Sequence, residues 1–82
     1  MAKTQKWSTE INGELHTVEY TPKTLFSKAK ITIDDKTYPL LSAKLFGISQ
    51  EVFLLGGERA IISIGDDKKA TITVDNEPIN EI

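Results

Sequence analysis

The chain has 82 residues, of which 39% are hydrophobic and 27% are charged, and its ten basic and twelve acidic residues give a net charge of −2 at pH 7. The length fits one domain, and the apolar content is too high for a disordered chain. The absence of cysteine excludes disulfides, thiol nucleophiles and cysteine-ligated metals. We therefore expect residues 1–82 to form a single domain held together by packing and backbone hydrogen bonds.

The charge distribution and the amino terminus bear on partners and location. Basic and acidic residues are mixed along the whole chain, whereas nucleic-acid binding favours a basic face, so we expect no nucleic-acid partner. Residues 1–7 lead into no apolar stretch of a secretory signal, and no apolar run approaches the roughly 20 residues that cross a bilayer. We expect no membrane partner and a cytoplasmic location.

Strand-forming residues dominate from one end of the chain to the other. β-branched residues follow a period of two at 31–33, 60–64 and 70–74, and no window of helical length keeps a helical period. The pattern predicts strand segments at about 4–11, 14–20, 26–33, 36–40, 43–47, 51–56, 58–65, 69–74 and 77–80. The expected irregular connections are residues 21–24 and 47–50, the second with room for a helical turn.

Turn-forming pairs separate these segments. They are Asn12-Gly13, Asp34-Asp35, Gly56-Gly57, Asp66-Asp67 and Asp75-Asn76. Such residues tolerate the left-handed backbone of two-residue hairpin turns. Because each pair joins two segments closely, we predict antiparallel hairpins.

A weak internal repeat sets residues 31–35 over 72–76, an offset of 41, and Gly13-Glu14 over Gly57-Glu58, an offset of 44. A connection three residues longer after Tyr20 than after Ile64 absorbs the difference. The predicted fold class is all-β, an antiparallel β-sandwich of about eight strands built from hairpins. Duplication would give two four-stranded halves that face each other across one core, and chance similarity between β-rich segments is the alternative.

Alternation assigns one face of each strand to the core. Trp7, Thr9 and Ile11 share a side of the first strand, and His16, Val18 and Tyr20 share a side of the second. The further core candidates are Ile31, Ile33, Tyr38, Leu40, Phe53, Leu55, Ile62, Ile64, Ile72 and Val74. Pro39 and Pro78 lack a backbone donor, so we expect their strands at sheet edges.

His16 is the single histidine, so a Ser-His-Asp triad or a histidine-based metal site would depend on it. Its place on the inward face with Val18 and Tyr20 favours a hydrogen-bonded, half-buried structural histidine. An enzyme would need His16 exposed in a cleft within reach of a carboxylate such as Glu19 or Asp34. We expect no enzyme, no catalytic, cofactor-binding or metal-binding residues, and no cofactor.

The other chemically notable residues have a structural interpretation. Asp34-Asp35 and Asp66-Asp67 lack the ligand spacing of a calcium loop and fit turns. Gly56-Gly57 lacks the following helix of a phosphate-binding loop and fits a hairpin. The six aromatic residues are about what a small core uses. Trp7 and Tyr38 are the two from which a surface platform for sugars or bases would be built.

One further set of residues is informative through its order and spacing. The set comprises Trp7, His16-Thr17-Val18-Glu19-Tyr20, Lys28, Ile31, Ile33, Asp34, Lys36, Lys44-Leu45-Phe46-Gly47, Glu51-Val52-Phe53, Leu55-Gly56, Val74-Asp75-Asn76, Ile79 and Glu81-Ile82. It resembles the domain of the Fas apoptotic inhibitory molecule family over nearly the whole chain. The resemblance implies a compact sandwich of antiparallel strands in a cytosolic, non-enzymatic protein that counters death-receptor signalling.

That family holds two such domains in tandem, whereas this chain has one and inserts residues around 48–50. The resemblance supplies no site residues, and anti-apoptotic regulation is expected only if the family role transfers. From the residues themselves we expect a non-catalytic protein-interaction module, which binds a protein partner or a second copy of itself, as a homodimer, through edge strands or loops near Pro39 or Pro78. The alternative is a small-ligand or carbohydrate-binding module that uses surface aromatics.

Overall fold

Strands account for all the regular structure in a computed structural model that describes residues 4–23, 25–26, 28–40, 44–45, 48–65, 67 and 69–82. They are β1 (Gln5–Ile11), β2 (Glu14–Thr21), β3 (Lys30–Ile33), β4 (Lys36–Pro39), β5 (Lys44–Leu45), β6 (Ile48–Leu55), β7 (Glu58–Ile64), β8 (Ala70–Val74) and β9 (Glu77–Pro78). No helix occurs in these described ranges, so the prediction of an all-β protein is confirmed.

The strands form two antiparallel sheets whose spatial order follows the chain. The first sheet has the order β1-β2-β3-β4, and the second has the order β5-β6-β7-β8-β9. The two sheets supply the two halves of the predicted sandwich. The second half has five strands where four were expected, because the two-residue β5 adds to the edge beside β6.

Four two-residue turns close the hairpins at Asn12-Gly13, Asp34-Asp35, Gly56-Gly57 and Asp75-Asn76. All eight of these residues have positive φ, between 46° and 83°. A left-handed backbone at both positions matches the twist of the flanking strands, and Gly, Asn and Asp adopt it at the lowest cost. These four predicted hairpins are confirmed.

The two halves share an organisation but differ in register. Aligning the turns sets Tyr20 over Ile64 and Ile31 over Ile72, as the repeat predicts. Tyr20 faces Ile31 across β2 and β3, whereas Ile64 faces Ala70 across β7 and β8. The shorter second loop has moved the pairing by two residues, and a shift of two keeps every side chain on its original face.

The core lies between the sheets and draws on both of them. Its buried side chains are Trp7, Val18, Tyr20, Ile31, Leu55, Ala60, Ile62, Ala70 and Ile72. Partly buried around them are Ile11, Ala29, Ile33, Leu40, Phe53, Ile64, Val74 and Ile79. Tyr38 was predicted in the core but is 46% exposed, because β4 is the outermost strand of its sheet and only β3 pairs with it.

Two strand predictions need correction. Residues 48–50 were expected to be irregular but form the start of β6, since β7 pairs with Ser49 and Gln50 and β5 pairs with Ile48. β3 begins at Lys30 rather than at residue 26, and Leu25 and Phe26 form an exposed bend before it.

The predicted connections fall partly outside the described residues. Thr21 is the last residue of β2, and Pro22 and Lys23 follow outside any strand, as expected. Thr24 and Gly47 lie outside the described residues.

Candidate functional site

The first hairpin determines which backbone groups of β1 point away from β2. Residues flanking a two-residue turn form a hydrogen-bonded pair, and such pairs alternate along the ladder. Ile11 pairs with Glu14 in this way, so the backbone groups of Lys6, Ser8 and Glu10 point away from β2. The carbonyl of Lys6 accepts a hydrogen bond from the Ile82 N–H at 2.8 Å, as this assignment requires.

The end of the chain covers one part of this edge. Glu81 forms a single antiparallel bridge with Trp7. The Gln5 side-chain amide donates to the Glu81 carboxylate at 2.9 Å and also to the Ala70 carbonyl at 3.0 Å. The last two residues are thereby held against the start of β1.

The rest of the edge stays open. Ile79 still belongs to the second sheet, where its N–H donates to the carbonyl of Ile72 at 3.0 Å. Between Ile79 and Glu81 the chain crosses from one sheet to the other, and this divergence leaves a cleft of about 390 Å³. The bridge between Trp7 and Glu81 sets the Ser8 N–H opposite the Asn80 carbonyl. No backbone hydrogen bond to another described residue satisfies the outward groups of Glu10.

The cleft lies between residues 8–11 on one side and residues 74 and 77–80 on the other. Ile11, Val74 and Ile79 give it an apolar wall that is continuous with the core. Glu10 and Glu77 place carboxylates at its exposed rim. Its volume lies within the range of about 300–1,000 Å³ that is usual for ligand pockets.

Pro78 lines the cleft on the opposite strand. It faces Thr73 at the pair after the turn-flanking pair, so its nitrogen points away from β8 and carries no hydrogen. Pro39 occupies the corresponding kind of position opposite Lys30 on β4. The prediction that both prolines lie on edge strands is confirmed.

His16 lies away from the cleft, in a structural role. Its Nδ1 lies 2.6 Å from Asp34 Oδ2, and its side chain is 13% exposed. The other carboxylate oxygen of Asp34 accepts from the Thr17 N–H at 2.9 Å, while the Asp34 N–H donates to the Thr17 carbonyl at 3.1 Å. Asp34 thus clasps β2 at both residues, and the hydrogen bond from His16 is the main cause that lowers the pKa of its carboxyl group.

Gly56 makes room for this histidine. A Cβ built on Gly56 would lie 2.7 Å from His16 Nε2 and 3.2 Å from the Cβ of Ile11. The turn of the second sheet therefore closes over the imidazole from the first. The prediction that His16 is partly buried and hydrogen-bonded is confirmed, and its partner Asp34 is one of the two carboxylates that the enzyme alternative named.

The acidic turn pairs occupy turn positions where the structure describes them. Asp34-Asp35 forms the β3–β4 turn, and the Asp67 side chain accepts from the Lys69 N–H at 3.0 Å; Asp66 lies outside the described residues. No group of three or more His, Cys, Asp or Glu side chains suited to a metal occurs in the part of the chain that the structure describes. The described residues also include no helix that could span a membrane.

The aromatic platform loses one of its two expected members. Trp7 is 1% exposed and sits at the centre of the core, and Tyr38 is half-exposed but does not line the cleft. Exposed apolar side chains occur elsewhere, at Val52 and Leu54 on the outer face of β6 and at the bend before β3.

The sequence placed the edge prolines but did not find the cleft. Pro78 was the available signal, since a proline marks an edge. The cleft opens because the chain crosses between the sheets at Asn80. A contact between the two ends of the chain produces no periodic pattern in the sequence.

Comparisons with known proteins add no relative: no family model, curated protein or solved structure matches this chain.

Proposed function

We propose that this protein is a non-catalytic interaction module that binds an extended segment of a partner protein along the open edge of β1. The observation that carries the proposal is the open backbone of Glu10, which faces a cleft that Ile11, Val74 and Ile79 line with apolar side chains. Edge-strand addition uses such groups for affinity and side-chain pockets for selectivity.

The protein's own terminus supports this mode of binding. Glu81 and Ile82 already pair with β1 at Trp7 and Lys6, which is strand addition within one chain. A partner segment would continue the same ladder at Glu10.

The other edges support it less. β4 and β9 each have a proline whose outward N–H is missing, and β5 is two residues long. Short edges and edge prolines discourage pairing with another strand. Within the described residues, β1 is the long edge that keeps its donors.

Binding is tested with the capped heptapeptide Thr-Thr-Val-Gln-Val-Thr-Thr, titrated into the isotope-labelled full chain while backbone amide shifts are followed. We expect the largest changes at Glu10 and its neighbours on β1. Glu10→Pro removes the open outward donor, as Pro78 does on β9, and should abolish the changes along β1. Thr37→Pro removes an outward donor on β4 and is the matched control.

If Glu10→Pro does not fold, the same peptide methylated on alternate backbone nitrogens replaces it, and one of the two methylation patterns should fail to bind. Shift changes confined to the β4 edge, or no changes at millimolar peptide, would refute the proposal.

A second candidate is self-association through the outer face of the second sheet. Val52 and Leu54 are 56% and 70% exposed there, and the half-buried Ile61 pairs with Val52. The exposed Arg59 pairs with Leu54 and lies on the same face, so two copies would have to meet with these arginines apart. Sedimentation at micromolar concentration should show a dimer that Leu54→Lys dissociates. Leu15→Lys, at an equally exposed leucine on the first sheet, should leave the mass unchanged.

The non-enzymatic character implied by the resemblance to the Fas apoptotic inhibitory molecule family agrees with both candidates. The anti-apoptotic role of that family stays a prediction.

A further inference from the structure

We infer that the segment bound in the cleft is cationic, with a lysine or arginine between two apolar residues. The inference rests on the proposed strand addition at β1. It adds the chemistry of the partner to the place of binding.

The charged side chains described around the cleft are acidic. Glu10 and Glu77 are both exposed and both line the cleft, and no Lys or Arg is among its described lining residues. Glu81, the next carboxylate along, already has its oxygen bonded by the Gln5 amide. Opposite charges directly across a strand pair stabilise it, and like charges destabilise it.

The ladder register places the cation. A residue paired with Glu10 would project its side chain to the same face of the sheet as Glu10. Glu10 lies on the outer, exposed face of β1, whereas its neighbour Ile11 faces the core. The residue opposite Glu10 therefore meets a carboxylate and water.

On the bound segment, the side chains before and after that position point to the opposite face of the sheet. They face Ile11, Val74 and Ile79, which pack against the core, with Glu77 exposed at the rim on the same face as Val74. Alternation along the bound strand thus gives the order apolar, basic, apolar. A segment with the opposite alternation would bury its cation against the wall and expose its apolar groups.

The preference is tested with three capped heptapeptides, Thr-Thr-Val-Lys-Val-Thr-Thr and its counterparts with Gln or Glu in place of Lys. Dissociation constants are measured by fluorescence anisotropy against the full chain at low and high salt. We expect the Lys peptide to bind about two- to fivefold more tightly than the Gln peptide, the range that one exposed ion pair supplies. The Glu peptide should bind more weakly than either, and added salt should reduce the differences.

Glu10→Gln combined with Glu77→Gln should remove the preference for Lys. Glu19→Gln, which removes an exposed carboxylate of the same sheet outside the cleft, is the matched control and should retain it. The backbone methylation pattern that blocks binding of the Gln peptide should weaken all three peptides alike.

The outcomes separate the two proposals. Equal binding of all three peptides, with loss on backbone methylation, overturns the charge preference and leaves strand addition standing. A preference for Lys that persists in the methylated peptides and in the Glu10, Glu77 double variant overturns both, since the cation would then bind elsewhere.

Discussion

The side-chain amide of Gln5 pairs with both backbone groups of Ala70. Its Nε2 donates to the Ala70 carbonyl at 3.0 Å, and its Oε1 accepts from the Ala70 N–H at 2.8 Å. The amide thus hydrogen-bonds to Ala70 in the way that a peptide group of a neighbouring strand would. It joins β1 of the first sheet to β8 of the second, at the point where the end of the chain also crosses.

Replacing Gln5 by methionine keeps the length of the side chain and removes its hydrogen bonds. Gln5 is 8% exposed, so the two groups of Ala70 would be left buried and unpaired. We expect a loss of about 1–3 kcal/mol in the free energy of unfolding, measured by urea denaturation. Gln50→Met, at an exposed amide bonded to Ser63, should change it by less than about 0.5 kcal/mol. Equal losses in the two variants would contradict this role of Gln5.

The Asp34 carboxylate should make stability depend on acid pH. Its hydrogen bond from His16 lowers its pKa in the folded state, against about 3.9 in an unfolded chain. The stabilisation is therefore complete above the unfolded pKa and is lost as pH falls through the folded one. Urea midpoints for wild type and Asp34→Asn should converge between roughly pH 5 and pH 2.

The control for this titration is Asp35→Asn, which keeps a left-handed turn residue and leaves the contact between His16 and Asp34 in place. Its urea midpoint should fall with decreasing pH as that of the wild type does. A gap between wild type and Asp34→Asn that stays constant down to low pH would show that the carboxylate contributes no pH-dependent stability.

The two glycines of the β6–β7 turn should differ in their tolerance of alanine. Both have positive φ, so alanine costs about 1–2 kcal/mol of backbone strain at either one. At Gly56 the new Cβ also meets His16, which adds about 1–3 kcal/mol of overpacking, whereas at Gly57 no atom lies within 4 Å. Thermal and urea unfolding should rank Gly56→Ala well below Gly57→Ala.

A double-mutant cycle checks the cause. In a His16→Ala background the extra cost of Gly56→Ala should fall towards that of Gly57→Ala, because the closest contact is gone. Strictly additive effects would mean that the imidazole does not set the cost.

The local features of this fold were predictable, and the contacts between the sheets were not. Asn12-Gly13 and Asp75-Asn76 dictate their own backbone, and alternation at 60–64 reports which side is buried, so turns and faces followed from short windows of sequence. The register of β7 against β8 depends on loop length, and the burial of Gln5 depends on a residue 65 positions away. Neither the register nor the burial of Gln5 produces a pattern within a short window of sequence.

The same reasoning explains why the candidate site was only half predicted. Pro39 and Pro78 identified two edges through their missing donors. The open edge of β1 has no such marker, because every residue except proline has a backbone N–H. The carboxylates of Glu10 and Glu77 are far apart in sequence and share a cleft only after the chain ends cross.

The outermost strand β4 offers a direct test of how proline protects an edge. Thr37 and Pro39 both point their backbone away from β3, and only Thr37 has a donor there. Pro39→Thr restores the second donor on an exposed strand and completes a template for another chain. We expect unfolding free energy to change by less than about 0.5 kcal/mol, while light scattering over time shows faster association than the wild type at the same concentration. Adding Thr37→Pro to that variant removes the other donor again and should return the rate to that of the wild type. Association that is unchanged in Pro39→Thr, or that persists in the double variant, would mean that the hydrogen-bonding edge of β4 does not limit self-pairing.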